Sequence, residues 1–339
     1  MSADSRAAGV VALGESRQLA AAVAREAGLP LLGIEERSFA GGEFKLRPLE
    51  SVRGRALYVL QSLVGTEEAP VAPRVLRLLF LLQGLRDAGA ETTLLAPYLA
   101  FARKDVRTQP RDPVSSRYIA ELLETTGLRR MVGLDVHNPA AFDNAFRIPT
   151  DHLTARPMMA DHFARRIDAT ARIAVVSPDV GGIKRAQLFR ERLAARLGRD
   201  VDIAFIEKRR AHDVVRSGGL TGDVADRDAI VIDDLCATGG TLIRAAETCR
   251  QAGALRVRVA VTHAALPGGL AGPLASDAIS ELVVTDSAVP PGAAQGRGIG
   301  AEKLTTLSIA PLFGRAVRRI LDGKPLAGLL ERWPVSGDD

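Results

Sequence analysis

Two adjacent aspartates followed by a glycine pair form the segment of the sequence with the clearest chemistry. Asp233 and Asp234 end an apolar run, Ala229–Ile232, and a short loop then leads to Gly239 and Gly240. In open α/β sheets ligands bind outside the carboxyl ends of the strands, so a substrate is expected here. Backbone N–H groups of a glycine-rich turn at a helix N-terminus bind phosphate, whereas neighbouring carboxylates would repel it.

The combination of an anion nest and two acids indicates a ribose phosphate. Asp233 and Asp234 suit the vicinal hydroxyls of a pentose, because a carboxylate accepts hydrogen bonds from hydroxyl groups. The residues expected to hold the 5-phosphate are Ala237, Thr238, Gly239, Gly240 and Thr241. An ordinary turn before a capped helix is the alternative, but the complete pattern of strand, two acids and Thr-Gly-Gly-Thr favours the sugar phosphate. No Walker A sequence occurs.

Two further strand ends carry residues that could bind a metal. Asp135 and His137 follow one apolar run and are expected to share a strand face, because alternate residues point to the same side. Asp179 follows another run. Strand ends that converge can hold Mg²⁺, which prefers oxygen ligands and keeps several waters. Spacing alone leaves open that His137 is a capped, buried residue.

Two cationic segments could bind phosphate groups of a second substrate. Arg103 and Lys104 lie in a dense cationic loop, which is either a solvated turn or a site for ATP. Lys208 and Arg210 follow a predicted strand and precede a polar, glycine-containing stretch, 211–222, with the composition of a mobile lid. On such a lid the two cations would neutralise charge on a transferring phosphate; a plain charged strand end is the alternative.

Short apolar runs alternate with helical stretches along the chain, which predicts parallel sheets covered on both faces. The similar spacing in both halves predicts two related α/β units. The predicted strands are Val10–Leu13, Ala56–Gln61, Thr92–Ala96, Arg130–Leu134, Ile173–Val176, Asp202–Ile206, Ala229–Ile232, Arg256–Val261 and Glu281–Val284. The predicted helices are Ser16–Ala27, Val75–Ala88, Ser115–Thr125, Lys184–Leu197 and Thr241–Ala252.

The composition is that of a globular protein with an anionic partner. Hydrophobic residues make up 47% and charged residues 25%, and the net charge is +5. Because the arginines are scattered and aromatic residues are only 4%, a phosphate-rich small substrate is favoured over nucleic acid. No apolar run reaches the roughly 18 residues of a membrane span, and no secretory signal is seen, so we expect a cytoplasmic protein without a membrane partner.

The loop from Asp233 to Thr241 resembles the phosphoribosyl-diphosphate (PRPP) loop of type I phosphoribosyltransferases, and the chain from about Val10 to about Leu321 resembles ribose-phosphate pyrophosphokinases (PRPP synthetases). The segments that carry this resemblance are Phe39–Glu43, Glu50–Gly54, Ala96–Arg103, Asp135–His137, Val176–Gly182, Glu207–Arg210 and Gly222–Val224. It implies two tandem phosphoribosyltransferase-like domains, residues 9–152 and 153–310, each with a parallel sheet flanked by helices, and a helical tail, 311–333.

The same resemblance implies an activity and a set of roles. The family transfers the diphosphate of ATP to ribose 5-phosphate with Mg²⁺, in a homo-oligomer built from dimers, of which a hexamer is one form. It implies ATP contacts for Gly41, Gly42, Glu43, Arg103 and Lys104, catalytic roles for Lys208 and Arg210, and metal binding by His137 and Asp179, to which we add Asp135. Gly41 and Ala237 depart from the usual Asp. A non-catalytic regulatory paralogue and a PRPP-consuming phosphoribosyltransferase remain alternatives.

Overall fold

A computed structural model of the chain describes residues 8–65, 70–211, 214–265, 270–288 and 300–331. The chain divides into two compact units. One comprises the residues up to Thr154 together with Ser308–Leu330, and the other comprises Ala155–Leu307. The domain limits given above remain a prediction.

Strands and helices alternate through both units. Within the described ranges the strands are β1 (Ala8–Val11), β2 (Ile34–Ser38), β3 (Phe44–Pro48), β4 (Ala56–Leu60), β5 (Glu91–Ala96), β6 (Arg130–Leu134), β7 (Thr150–Leu153), β8 (Ile173–Ser177), β9 (Asp202–Ala211), β10 (Val214–Thr221), β11 (Asp228–Leu235), β12 (Arg256–His263), β13 (Glu281–Thr285) and β14 (Leu304–Leu307). The helices there are α1 (Arg17–Ala27), α2 (Val71–Asp87), α3 (Ser115–Thr125), α4 (Pro139–Ala145), α5 (Arg156–Ala164), α6 (Ile183–Leu197), α7 (Gly240–Gln251), α8 (Ala271–Ala275), α9 (Ala310–Leu321) and α10 (Ala327–Glu331). None of these helices combines the length and apolar composition needed to cross a membrane.

The first unit is built on a parallel sheet in the order β1-β4-β5-β6-β7, so the chain winds across it in one direction. Strands β2 and β3 form a separate antiparallel hairpin between β1 and β4 in the chain. Helix α2 packs on one face of the sheet because Val75, Leu78, Leu82 and Leu85 form an apolar stripe with helical spacing.

Helix α9, from the C-terminal part of the chain, packs against α1 in this first unit. Its buried side chains include Leu312, Phe313 and Val317. Gly314 faces Glu26, and a Cβ atom at this glycine would collide with that residue. The missing side chain therefore allows the two helices to approach closely.

The second unit contains a sheet in the order β10-β9-β8-β11-β12-β13-β14. All its strands pair in parallel except β9 and β10, which are antiparallel. From β8 the chain first moves outward through α6 to β9 and β10. It then returns to β11 on the other side of β8 and moves away through α7. Because right-handed connections in opposite directions place their helices on opposite faces, β8 and β11 flank a topological switch point.

Candidate active site

The glycine pair lies at the carboxyl end of β11, where α7 begins. Gly239 is buried and has φ 76°, a left-handed conformation that favours glycine. Ala237, Gly240 and Thr241 are partly buried, and Thr238 is exposed. The first N–H groups of a helix have no partner within that helix and carry its positive dipole end. This turn therefore offers a site for an anion at the switch point of the second sheet.

The two acids at the end of β11 are bridged by one arginine, Arg185 of α6. Its Nη1 donates to Asp233 Oδ1 at 2.8 Å, and its Nη2 lies 3.1 Å from Asp234 Oδ2. The backbone N–H of Asp234 also donates to Asp233 Oδ1, at 2.9 Å. The side chains of Asp233 and Asp234 are only 17% and 8% exposed. The acid pair is thus held in place from both strand and helix.

Burial and mutual repulsion change the titration of this pair. Desolvation raises the pKa of Asp233 to about 7, and the neighbouring charge of Asp234 adds to that rise, while Arg185 opposes it. A buried carboxylate whose pKa is raised by a specific partner is typical of a functional site. The surroundings of this pair therefore favour the neutral form of Asp233, and Arg185 is a counter-charge that opposes this tendency.

Asp179 follows β8, the strand next to β11, so its carboxylate belongs to the same edge of the second sheet. It is partly buried, and its Oδ1 accepts the N–H of Gly182 at 3.0 Å. The buried hydroxyl of Ser177 donates to the Asp179 carbonyl at 2.6 Å. These bonds fix the turn that leads into α6 and therefore also the start of the helix that carries Arg185.

Asp135 and His137 lie in the loop after β6, which ends at Leu134. Asp135 has φ 36°, outside the extended region, so the expectation that these two residues share a strand face is wrong. His137 is exposed and Asp135 is partly buried. The loop is supported by His152 of β7, whose Nε2 accepts the N–H of Val136 at 3.2 Å.

Arg103 and Lys104 are exposed in the turn that follows β5, the strand next to β6. Asp105 of this turn accepts a hydrogen bond from the Asn138 side chain at 2.8 Å, and Asn138 directly follows His137. The structure therefore brings the cationic loop and the His137 loop together at one edge of the first sheet.

Gly41, Gly42 and Glu43 form the exposed tip of the β2–β3 hairpin. The two glycines have φ 84° and 90°. A side chain would find space at either position but would be strained by this backbone conformation. Gly41, where the family usually has Asp, thus adopts a conformation that glycine takes at no steric cost.

Lys208 and Arg210 lie within β9, which continues to Ala211, so the prediction that this strand ends at Ile206 is wrong. The stretch 211–222, which has the composition of a mobile lid, is largely strand β10, paired antiparallel with β9 in a register that aligns Ser217 with Lys208. Residues 212–213 lie outside the described ranges, as do the side chains from 208 to 218. The two strands form a hairpin at the edge of the second sheet.

The carboxylate of Asp179 has the chemistry of a protein ligand for Mg²⁺, which does not need a cage of protein side chains. In the described part of the chain, no three His, Cys, Asp or Glu side chains gather as a metal site. Mg²⁺ is usually bound through one or two carboxylates, with waters and substrate phosphates completing its shell. A partly buried carboxylate fixed by a backbone N–H, as at Asp179, fits that requirement.

Comparisons with known proteins agree along nearly the whole chain. Residues 8–127 match the N-terminal domain of ribose phosphate pyrophosphokinase, and residues 214–331 match the phosphoribosyl synthetase-associated domain. Ribose-phosphate pyrophosphokinase 1 of Streptococcus pneumoniae is 35% identical, with 94% of this chain and 96% of the relative covered. The Granulibacter bethesdensis ribose-phosphate pyrophosphokinase is 36% identical, with 95% and 99% covered.

A solved structure has the same architecture. The phosphoribosylpyrophosphate synthetase of Mycobacterium smegmatis superposes with a TM-score of 0.82 at 32% identity, covering 93% of this chain and 99% of that one. The chain belongs to the ribose-phosphate pyrophosphokinase family. The family resemblance and the α/β fold of helix-flanked parallel sheets predicted from the sequence are confirmed.

Arg185 contacts both acids of the candidate site and was not identified from the sequence. It lies 48 positions before Asp233, in a helix whose composition reads as an ordinary charged surface. Only the pairing of β8 with β11 brings the start of α6 to the acid pair. The available signal was its place just after Gly181 and Gly182, at a second strand-to-helix turn.

Proposed function

We propose that this chain is a ribose-phosphate pyrophosphokinase that makes 5-phosphoribosyl 1-diphosphate for nucleotide biosynthesis. The observation that carries the proposal is the acid pair beside an anion nest at the switch point of the second sheet. Asp233 and Asp234 would accept hydrogen bonds from the ribose 2- and 3-hydroxyls. The turn from Ala237 to Thr241 would bind the 5-phosphate through backbone N–H groups.

In the reaction, the 1-hydroxyl oxygen of ribose 5-phosphate bonds to the β-phosphorus of ATP. The bond from that phosphorus to the α,β-bridging oxygen breaks, the hydroxyl proton is lost, and AMP leaves. Phosphoryl transfer of this kind depends mainly on alignment and charge neutralisation. Lys208 and Arg210, on the β9–β10 hairpin, would supply positive charge to the transferring diphosphate.

The first unit would supply the nucleotide site. Arg103 and Lys104 would contact ATP, with Gly41, Gly42 and Glu43 contributing from a neighbouring subunit, which requires a homo-oligomer. For Mg²⁺ we propose His137 and Asp135 as ligands from the first unit and Asp179 as a ligand from the second. When bound, the ion neutralises phosphate oxygens and so lowers the cost of bringing nucleophile and triphosphate together.

The decisive experiment incubates the protein with Mg²⁺, ATP and ribose 5-phosphate and separates the nucleotides. We expect AMP to form one-for-one with the sugar diphosphate. ADP in its place would indicate a simple sugar kinase and would refute the proposal.

Two alternative functions would give different results when a further component is added to this assay. A regulatory paralogue would give no turnover alone but would change the activity of a catalytic relative. A phosphoribosyltransferase would consume 5-phosphoribosyl 1-diphosphate when given a nucleobase. The match to whole pyrophosphokinases, in both units, favours the synthetase over the transferase.

A further inference from the structure

Arg185 stands out because a single guanidinium is bonded to both acids of the sugar site. Its two terminal nitrogens pair with different residues, at 2.8 Å to Asp233 and 3.1 Å to Asp234. The arginine side chain is 24% exposed, so the contact is shielded from most of the solvent. It approaches from α6, whereas the acids lie on β11, so the bridge joins two elements on either side of the switch point.

The acid pair needs such a partner to remain charged. Two carboxylates at consecutive positions repel each other, and burying either one without a counter-charge is unfavourable. Arg185 is the cation that opposes the rise in the pKa of Asp233. A hydroxyl bonds more strongly to an ionised carboxylate than to a neutral acid, so this counter-charge affects how well the pair can hold a diol.

The turn before α6 is built to leave room for this arrangement. Gly182 is buried, and a Cβ atom there would lie 2.6 Å from Ser177 Oγ and 3.3 Å from Arg185 Nη1. Its φ of −86° is available to any residue, so the requirement for glycine at this position is steric. Gly182 thus accommodates both the hydroxyl that fixes the turn and the guanidinium.

We propose that Arg185 is a positioning residue for ribose 5-phosphate, which holds the carboxylates of Asp233 and Asp234 at a fixed separation and supplies a counter-charge that favours their ionised form, so that they can receive two neighbouring hydroxyls. This inference rests on the proposed function. It assigns to Arg185 no contact with the sugar or the nucleotide; the arginine acts through the two acids. A lysine can supply the charge but not the two-pronged bridge, because an ammonium group is a single point charge.

The test compares Arg185→Gln and Arg185→Lys with the wild type and with Lys184→Gln. Lys184 is exposed and precedes Arg185 on the same helix, so its replacement removes an equal charge without touching the acid pair. Steady-state kinetics give separate KM values for ribose 5-phosphate and ATP. Isothermal titration with ribose 5-phosphate alone gives a Kd that does not depend on turnover, and circular dichroism confirms folding.

We expect Arg185→Gln to raise the KM and Kd for ribose 5-phosphate about tenfold or more, as the loss of charge-assisted bonds predicts. The KM for ATP should stay within about twofold, because a remote charge is screened. Arg185→Lys should recover part of the loss, and Lys184→Gln should match the wild type. Unchanged sugar affinity in Arg185→Gln would overturn the inference while leaving the activity in place. Equal losses for both substrates, without recovery by lysine, would also overturn it, in favour of a role in the fold alone.

Failure of the proposed function gives a different result. If the wild type makes no sugar diphosphate but binds ribose 5-phosphate, the activity is refuted and the Kd ratio between wild type and Arg185→Gln still decides the role of the arginine. If the wild type does not bind ribose 5-phosphate in the titration, both proposals fall.

Discussion

Replacing Asp233 with asparagine tests whether the buried charge of this carboxyl lowers the free energy of unfolding. The folded-state pKa of this carboxyl is raised from 3.8 to about 7, mainly by burial and then by the charge of Asp234. A raised pKa means that the carboxyl stabilises the fold below its unfolded pKa and that this contribution is lost as the pH rises to the folded pKa. The wild-type free energy of unfolding should therefore fall between about pH 4 and pH 7 because of this group.

The size of the expected change in the free energy of unfolding follows from the shift in the pKa of Asp233. Each unit of pKa difference corresponds to about 1.4 kcal/mol, so the two units between pH 5 and about pH 7 give roughly 3 kcal/mol as an upper bound. Asparagine has no charge to desolvate. Relative to the wild type, Asp233→Asn should therefore become more stable by up to about 3 kcal/mol on going from pH 5 to pH 8.

The assay is urea unfolding followed by circular dichroism at pH 5 and pH 8, without substrate. The matched control is Asp277→Asn, which makes the same chemical change at an exposed aspartate of the second unit. If the stability difference between Asp233→Asn and the wild type were the same at both pH values, the carboxyl would not be held charged against its surroundings. The electrostatic account of the acid pair would then be wrong.

Two further substitutions test the transfer step and the turn before α6. Lys208→Ala should lower kcat about 10²- to 10³-fold, with the KM for ribose 5-phosphate nearly unchanged. Arg209→Ala removes an equal charge at the next position and should have a much smaller effect. A large rise in the KM for ribose 5-phosphate with normal kcat would contradict the role of Lys208. Gly182→Ala should lower the free energy of unfolding by about 1–3 kcal/mol and weaken ribose 5-phosphate binding, because the added methyl collides with the buried Ser177 hydroxyl. A variant with wild-type stability in urea titration would refute this steric argument.

The sequence predicts the buried elements of the fold well. Strand Arg130–Leu134 and helix Ser115–Thr125 have the predicted bounds, since apolar runs and helical periodicity mark elements that pack on both sides. The hairpin of β2 and β3 was missed because its strands are largely exposed and rich in charge. Strand β10 was missed because its sequence contains two glycines, which favour turns in isolation.

The candidate site, like the fold, could be predicted only in part from the sequence. The acids and glycines near Asp233 could be found because their chemistry is written in consecutive residues. Their partner Arg185 could not be found from the sequence, because its contact with the acids depends on which strands become neighbours in the sheet. The geometry predicted for Asp135 and His137 was wrong, because the positive φ of Asp135 ends the strand at Leu134, whereas the alternation argument requires extended backbone through His137.

Strand β11 carries acids near both of its ends, and the surroundings of these acids change their pKa values in opposite directions. At its start, Asp228 lies 3.4 Å from Arg258, which also bonds to Glu281 at 2.6 Å, and His162 lies 2.9 Å from Glu281. Burial alone would raise the pKa of Glu281, but hydrogen bonds from His162 and Arg258 bring it below its usual value.

At the carboxyl end of the same strand, Arg185 bridges Asp233 and Asp234, and the pKa of Asp233 is raised to about 7. At the first end, hydrogen bonds from His162 and Arg258 favour the charged form of Glu281. At the second end the pKa of Asp233 is raised although Arg185 is in contact, and we infer that hydroxyl donors of a bound sugar would add hydrogen bonds to its carboxylate. This difference along one strand supports the sugar site that we propose, and it does so without use of the family match.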